Sequence, residues 1–164
     1  MSWQIVPLER SHPRSGFDCG EPSLNDFLQR YARQNDAKRI SRTYVLLAEG
    51  SSSIVGYYTL CSGSIAFATL PDDRRRQMPR YPLPTAHIGR LAVDRRHQGR
   101  GLEAMLLADA LKRIRQVSGQ MGIYAVTVHA LHKKAKSFYE AFGFIALKDD
   151  ELHLFLPLGT IEKL

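Results

Sequence analysis

The chain has 164 residues, 44% hydrophobic, 24% charged and 9% aromatic, with 23 basic against 16 acidic side chains for a net charge of +7. A chain of this size buries roughly 70% of its unfolded surface without covalent staples, which excludes disordered, collagen-like and disulfide-scaffold classes and points to one globular domain over residues 1–164. The surplus charge admits three kinds of polyanion: nucleic acid, an anionic membrane face or a polyphosphate.

Trp3 to Leu8 alternates and reads as a short strand. Phe17-Asp18-Cys19-Gly20-Glu21-Pro22-Ser23 is a turn, and a helix opens at Pro22 or Ser23. Its apolar stripe is Leu24, Phe27, Leu28 and Tyr31, with Arg30, Arg33, Lys38 and Arg39 on the opposite side. Thr43 to Ala48 and Ile54 to Ser62 are β-branched and aromatic runs joined by Glu49-Gly50-Ser51-Ser52-Ser53, a hairpin signal. A polar, Arg-rich excursion from Pro71 to Pro84 reads as an extended loop. Ala86 to Val93 is a buried strand, Gln98-Gly99-Arg100-Gly101 a turn, and Leu102 to Val117 a long helix. Tyr124 to Val128 is a second buried strand, His132 to Ala141 a helix stopped by Gly143, and Phe144 to Leu147 with His153 to Leu156 a closing strand pair. That order predicts a mixed α/β (α+β) fold, with helices packed on a largely antiparallel sheet.

The charge is concentrated. From Arg74 to Arg115 there are eleven basic residues against three acidic ones, a net +8. Cys19 and Cys61 lack metal-ligand spacing and read as free thiols of a reducing compartment, so no metal is expected. No leader pattern opens the chain and no apolar run is long enough to span a bilayer, so the expectation is a cytoplasmic protein without a membrane partner.

The most informative stretch runs from Ile88 to Leu102, a buried strand entering a glycine turn that opens directly onto a helix. Glycines let backbone approach a ligand closely, and the first free N–H groups of a helix point at whatever sits there. Arg95, Arg96 and Arg100 add positive charge, so a pyrophosphate fits; an ordinary strand-to-helix turn fits the same residues. The loose pattern Gly99-x-Gly101-x-x-Ala104 is no dinucleotide fold, because the unit starts after residue 85 and no carboxylate follows about 20 residues on. A Walker loop is absent from the sequence.

Arg90-Leu91-Ala92-Val93-Asp94 followed by Gln98-Gly99-Arg100-Gly101 resembles motif A of the GNAT acetyltransferases, whose Q/R-x-x-G-x-G/A loop holds the coenzyme A pyrophosphate. Ala135-Lys136-Ser137-Phe138-Tyr139-Glu140-Ala141-Phe142-Gly143-Phe144 resembles motif B, the helix that flanks the pantetheine and carries a tyrosine. Phe17-Asp18-Cys19-Gly20 with Leu24, Asn25, Phe27 and Leu28 resembles the opening of a toxin subgroup found in bacterial type II toxin–antitoxin pairs. That resemblance implies acetyl-CoA as cofactor, acetylation of the α-amino group of aminoacyl-tRNA with inhibition of translation, a ribbon-helix-helix antitoxin as partner, and a homodimer. It implies that the backbone of Leu91, Ala92 and Val93 orients the acetyl group and that Tyr139 is the general acid. Arg96, Gln98, Gly99, Arg100, Gly101, Leu102, Glu103 and Phe138 complete the implied cofactor site.

The residues themselves constrain the acceptor. The strand from Ala86 to Val93 carries no carboxylate, and His87 is its one group titrating near neutrality. A lysine amine, with a pKa of about 10.4, needs help to lose its proton, whereas an α-amine at about 7.7–8.0 is substantially neutral already. The missing carboxylate thus favours an α-amine. Arg74, Arg75 and Arg76 with Arg80, and the basic face of the first helix, suit an RNA backbone, and Arg90 is expected to face the acceptor. Two positions depart from the family pattern: Glu103 brings a carboxylate where a pyrophosphate should dock, and His132 heads the motif B helix in place of Asn or Asp. The alternatives are acetylation of a small amine or a protein N-terminus, and a variant impaired by Glu103.

Overall fold

The computed structural model describes residues 2–161. Its strands are β1 (Trp3–Pro7), β2 (Arg42–Ala48), β3 (Ile54–Ile65), β4 (Leu83–Val93), β5 (Ala125–His129), β6 (Ile145–Ala146) and β7 (His153–Pro157). Its helices are α1 (Pro22–Asp26), α2 (Ala32–Ala37), α3 (Asp72–Arg75), α4 (Leu102–Val117), α5 (Lys133–Ala141) and α6 (Leu158–Ile161). The seven strands form a mostly antiparallel sheet, as the sequence predicts, with β4 and β5 the parallel pair.

The chain divides into two compact units, one of residues 1–61 and 89–110, the other of residues 62–88 and 111–164. In the first, β1 pairs with β2 and β2 with β3, and a core of Phe17, Leu24, Phe27, Leu28, Ala32, Val45, Leu47, Tyr57 and Ala92 lies beneath them. In this unit β3 and β4 approach so closely that a Cβ on Gly56 would lie 2.9 Å from the carbonyl oxygen of Ala92, so only glycine fits there. In the second unit β4 pairs with β5, β5 with β7 and β7 with β6 over a core containing Ile65, Leu70, Leu83, Ala125, Leu147 and Phe155. Helix α4 buries Leu102, Leu106, Leu107, Ala110, Leu111 and Ile114, one stripe at helical spacing.

Three expectations are corrected. The first helix is interrupted: between α1 and α2 lies a π-turn, Phe27–Tyr31. The wider turn adds a residue per revolution, so the apolar stripe slips by one, burying Ala32 completely and leaving Tyr31 47% exposed. Part of the Arg-rich excursion folds as α3, with Pro71 before it, Asp72 and Asp73 in its first turn and Arg74 and Arg75 in its last, an order that suits the helix dipole. Finally, β4 starts at Leu83 and β3 runs on to Ile65, whereas the run from Phe144 to Leu147 is strand only at Ile145–Ala146. Among the described residues no helix is long and apolar enough to cross a membrane.

Candidate active site

The β4–β5 ladder runs from Thr85 opposite Ala125 to Ile88 opposite Val128. Backbone groups of β4 beyond Ile88, including those of Leu91, Ala92 and Val93, are not used by that ladder. Ala92 and Val93 are buried and Leu91 is half-buried, so a polar group bonding to this backbone would do so in a largely dry setting.

After β4 the chain makes a 3-10 turn at Arg95–His97 and reaches Gln98, Gly99, Arg100 and Gly101 before α4 begins at Leu102. Gly99 and Gly101 have φ of +80° and +77°, the left-handed region that favours glycine. A Cβ at either would meet nothing within 4 Å, so open space borders the turn and a ligand can come close to the main chain. Arg100 is exposed beside it, and α4 presents its first N–H groups there. These features fit a pyrophosphate. Glu103 is half-buried in the first turn of α4.

The other charges predicted to surround the turn are engaged within the protein. Asp94 is 1% exposed, and its Oδ1 accepts from the backbone N–H of Arg96 (3.0 Å) and from Arg96 Nε (3.0 Å). Its Oδ2 accepts from Asp18 N–H (3.1 Å) and from an Arg96 guanidinium nitrogen (3.2 Å). Burial alone would raise the Asp94 pKa; the hydrogen bonds from Arg96 and Asp18 and the Arg96 charge outweigh it and hold the carboxyl at about 2. Arg95 lies 3.4 Å from Asp18 Oδ2, and its N–H donates to the Asp18 carbonyl. Gln98 Nε2 donates to the carbonyls of Val93 (2.8 Å) and Cys19 (3.0 Å). Of the predicted cofactor residues, then, Arg96 and Gln98 use their side chains to brace the turn. Sequence reasoning missed Asp94 as the centre of that brace. The Asp18-x-Gly20 spacing was a signal, since Gly20 N–H does bond back to Asp18 Oδ1 at 2.9 Å, as short Asx turns do.

Arg90 is half-buried on β4, its guanidinium carbon 3.7 Å from the centroid of the Phe27 ring. Phe27 is the first residue of the π-turn.

In the second unit α5 carries Phe138 and Tyr139. His132 caps this helix, its Nδ1 accepting from Ala135 N–H (3.1 Å), so it does the work of the Asn or Asp it replaces. Tyr139 is 8% exposed, with ring neighbours Phe138 at 5.2 Å and Phe144 at 5.5 Å. Burial pushes its hydroxyl pKa up to about 12. His87 Nδ1 lies 2.8 Å from Thr127 Oγ1, a cross-strand bond of β4 and β5. The Arg-rich segment is only partly free. Arg74 lies over Phe155 at 5.9 Å, and Arg75 pairs with Asp72, which Lys148 also meets at 2.8 Å. Arg76 and Arg80 are exposed. No group of three or more potential metal ligands occurs among the described residues.

A family model described as an acetyltransferase (GNAT) domain matches residues 17–153. The chain belongs to the GNAT acetyltransferase family. It is homologous to tRNA-acetylating toxins: a protein of that description from Mycobacterium tuberculosis is 45% identical over 142 residues, 87% of this chain and 84% of that one. Among solved structures, AtaT complexed with acetyl-methionyl-tRNAfMet is similar at a TM-score of 0.92, with 35% identity over 99% of this chain and 98% of that one. A mutant AtaT toxin bound to the C-terminus of the antitoxin AtaR and acetyl-CoA is similar at a TM-score of 0.83, with 32% identity over 99% of this chain and 97% of that one.

Proposed function

We propose that this GNAT acetyltransferase is a toxin that uses acetyl-CoA to acetylate the α-amino group of aminoacyl-tRNA and so blocks translation. The observation that carries the cofactor half is the pair of left-handed glycines in open space at the start of α4. The identity to a tRNA-acetylating toxin, with its coverage of both chains, carries the acceptor half.

Gly99, Arg100, Gly101 and Leu102 bind the pyrophosphate through backbone N–H groups and one free guanidinium, with Arg96 and Gln98 bracing the turn. The β4 backbone at Leu91, Ala92 and Val93 would orient the pantetheine arm and the acetyl carbonyl, and the family resemblance assigns Phe138 to the cofactor as well. When bound, acetyl-CoA supplies the acetyl group as an activated thioester. Tyr139, kept protonated through the neutral range by burial, would supply from its Oη the proton that the coenzyme A sulfur takes up, and would regain one from solvent, which also receives the proton lost by the acceptor amine. No carboxylate of β4 takes the acceptor's proton, which suits an amine of low pKa. Arg90, Arg76 and Arg80 bind tRNA phosphates, and Arg74 and Arg75 hold that segment in place.

Residues 1–164 act as one cytoplasmic acetyltransferase domain, which forms a homodimer and is restrained by a ribbon-helix-helix antitoxin. Labelled acetyl-CoA incubated with charged tRNA tests the activity: label on the aminoacyl group supports it, and label confined to small amines or protein N-termini overturns it. Arg76→Ala with Arg80→Ala should weaken charged-tRNA binding and flatten its salt dependence by about one unit per lost phosphate contact, while acetyl-CoA binding is spared.

A further inference from the structure

The segment Phe17-Asp18-Cys19-Gly20 with Asn25 belongs to no catalytic step above, yet its hydrogen bonds converge on the cofactor turn. Asn25, on α1, uses both ends of its side-chain amide. Its Oδ1 accepts from Cys19 N–H at 2.8 Å, and its Nδ2 donates to Asp18 Oδ1 at 2.9 Å. The same Asp18 oxygen accepts from Gly20 N–H at 2.9 Å. The peptide joining Cys19 to Gly20 is therefore held at its N–H end by Asp18, which Asn25 orients, and its carbonyl end is the acceptor for Gln98 Nε2 at 3.0 Å. The second Nε2 proton of Gln98 goes to Val93 at 2.8 Å. One carboxamide on α1 thus fixes the peptide against which Gln98 sets the turn at Gly99 and Gly101.

We infer that Asn25 is a positioning residue for the acetyl-CoA turn, acting through the Cys19–Gly20 peptide and Gln98. The inference rests on the reading of that turn as the pyrophosphate site. It gives the opening motif a physical role. A donor and an acceptor on two separate atoms of one short side chain are both needed, which the asparagine amide supplies and a single serine or threonine hydroxyl does not. Aspartate keeps the acceptor but sets a carboxylate against that of Asp18.

Asn25→Asp and Gln98→Ala are compared with the wild-type protein by calorimetry with coenzyme A and by steady-state acetylation of charged tRNA. In Asn25→Asp the coenzyme A Kd and the acetyl-CoA KM rise roughly fivefold to tenfold, the worth of one or two hydrogen bonds. The KM for charged tRNA and the kcat at saturating acetyl-CoA stay within about twofold, a split that mere loss of stability does not produce. The double variant is no worse than the weaker single one, since both act on one peptide. Wild-type affinity in Asn25→Asp, or losses that multiply in the double variant, overturns the inference. Asn25→Ser, whose single hydroxyl is too short to replace both amide atoms, decides the matter in the same direction if the aspartate variant does not fold. A wild-type protein that binds no coenzyme A would instead overturn the reading of the turn itself.

Discussion

The guanidinium of Arg90 rests on the face of Phe27 at 3.7 Å, so a strand cation is held by an aromatic ring at the junction of α1 and the π-turn. A cation stacked in this way keeps its in-plane N–H donors available for a phosphate or ribose. Arg90→Gln should lower kcat/KM for charged tRNA about tenfold to a hundredfold and leave the acetyl-CoA KM within about twofold. Phe27→Leu keeps the core filled but removes the ring face, and should cost about threefold in the same quantity. Steady-state kinetics with each substrate varied in turn checks both.

Tyr139→Phe removes one oxygen from a buried ring and changes nothing in its packing with Phe138 and Phe144. Coenzyme A affinity and thermal stability should hold, while kcat falls roughly a hundredfold to ten-thousandfold. Because burial raises the hydroxyl pKa to about 12, the group stays protonated through neutral and mildly alkaline solution. The rate should show no descending limb from this residue below about pH 10.

Asp94 ties acid stability to the cofactor turn. Its folded pKa, about 2, lies below the value of about 3.9 expected of an unfolded aspartate. A depressed carboxylate contributes stability that is fully present above the unfolded value and is lost as pH falls through the folded one. Urea unfolding of the wild-type protein and of Asp94→Asn should therefore differ most above about pH 5, and the gap should shrink between about pH 4 and 2.

Arg39 closes α2 with φ of +62°, the one non-glycine residue with positive φ among those described. The N–H groups of Arg39 and Ile40 return to the carbonyls of Asp36 and Asn35, the bonding of a helix end that favours glycine. Arg39→Gly should stabilise the fold by about 0.5–1 kcal/mol, raising Tm by roughly 1–4 °C in a thermal melt.

Glu103 faces the other way in its effect. A carboxylate suits the first turn of a helix in a free protein, but it repels a pyrophosphate bound at the same N–H groups. Glu103→Gln should tighten coenzyme A roughly fivefold in calorimetry at low salt, with the gain shrinking as salt screens it.

Much of this architecture is legible in the sequence because periodicity and turn chemistry are local. The long helix from Leu102 to Val117, the glycine turn before it and the helix stopped by Gly143 could all be placed from neighbouring residues. The π-turn could not, since nothing in Phe27 to Tyr31 demands it, and the burial of Ala32 that accompanies it is a tertiary contact. The signal for α3 was present in Pro71 followed by two acids and three arginines, but the later prolines outweighed it. The partners of the arginines around the turn are hidden from the sequence for a different reason. Asp94 engages Arg96 and Asp18 engages Arg95, while Arg100 stays exposed, and a carboxylate 77 positions from Arg95 leaves no local trace.

The brace of the cofactor turn also sets an order of events during folding. Asp18 meets Asp94 across 76 positions and Cys19 meets Gln98 across 79. Contacts of that span form only after a long loop has closed, and they are the slow ones in a folding chain. On a ribosome the first partner emerges long before the second, so the turn reaches its final shape only once the chain has been made well past residue 98. The shape of the glycine turn is thus a late property of each new molecule, whatever the stability of its helices.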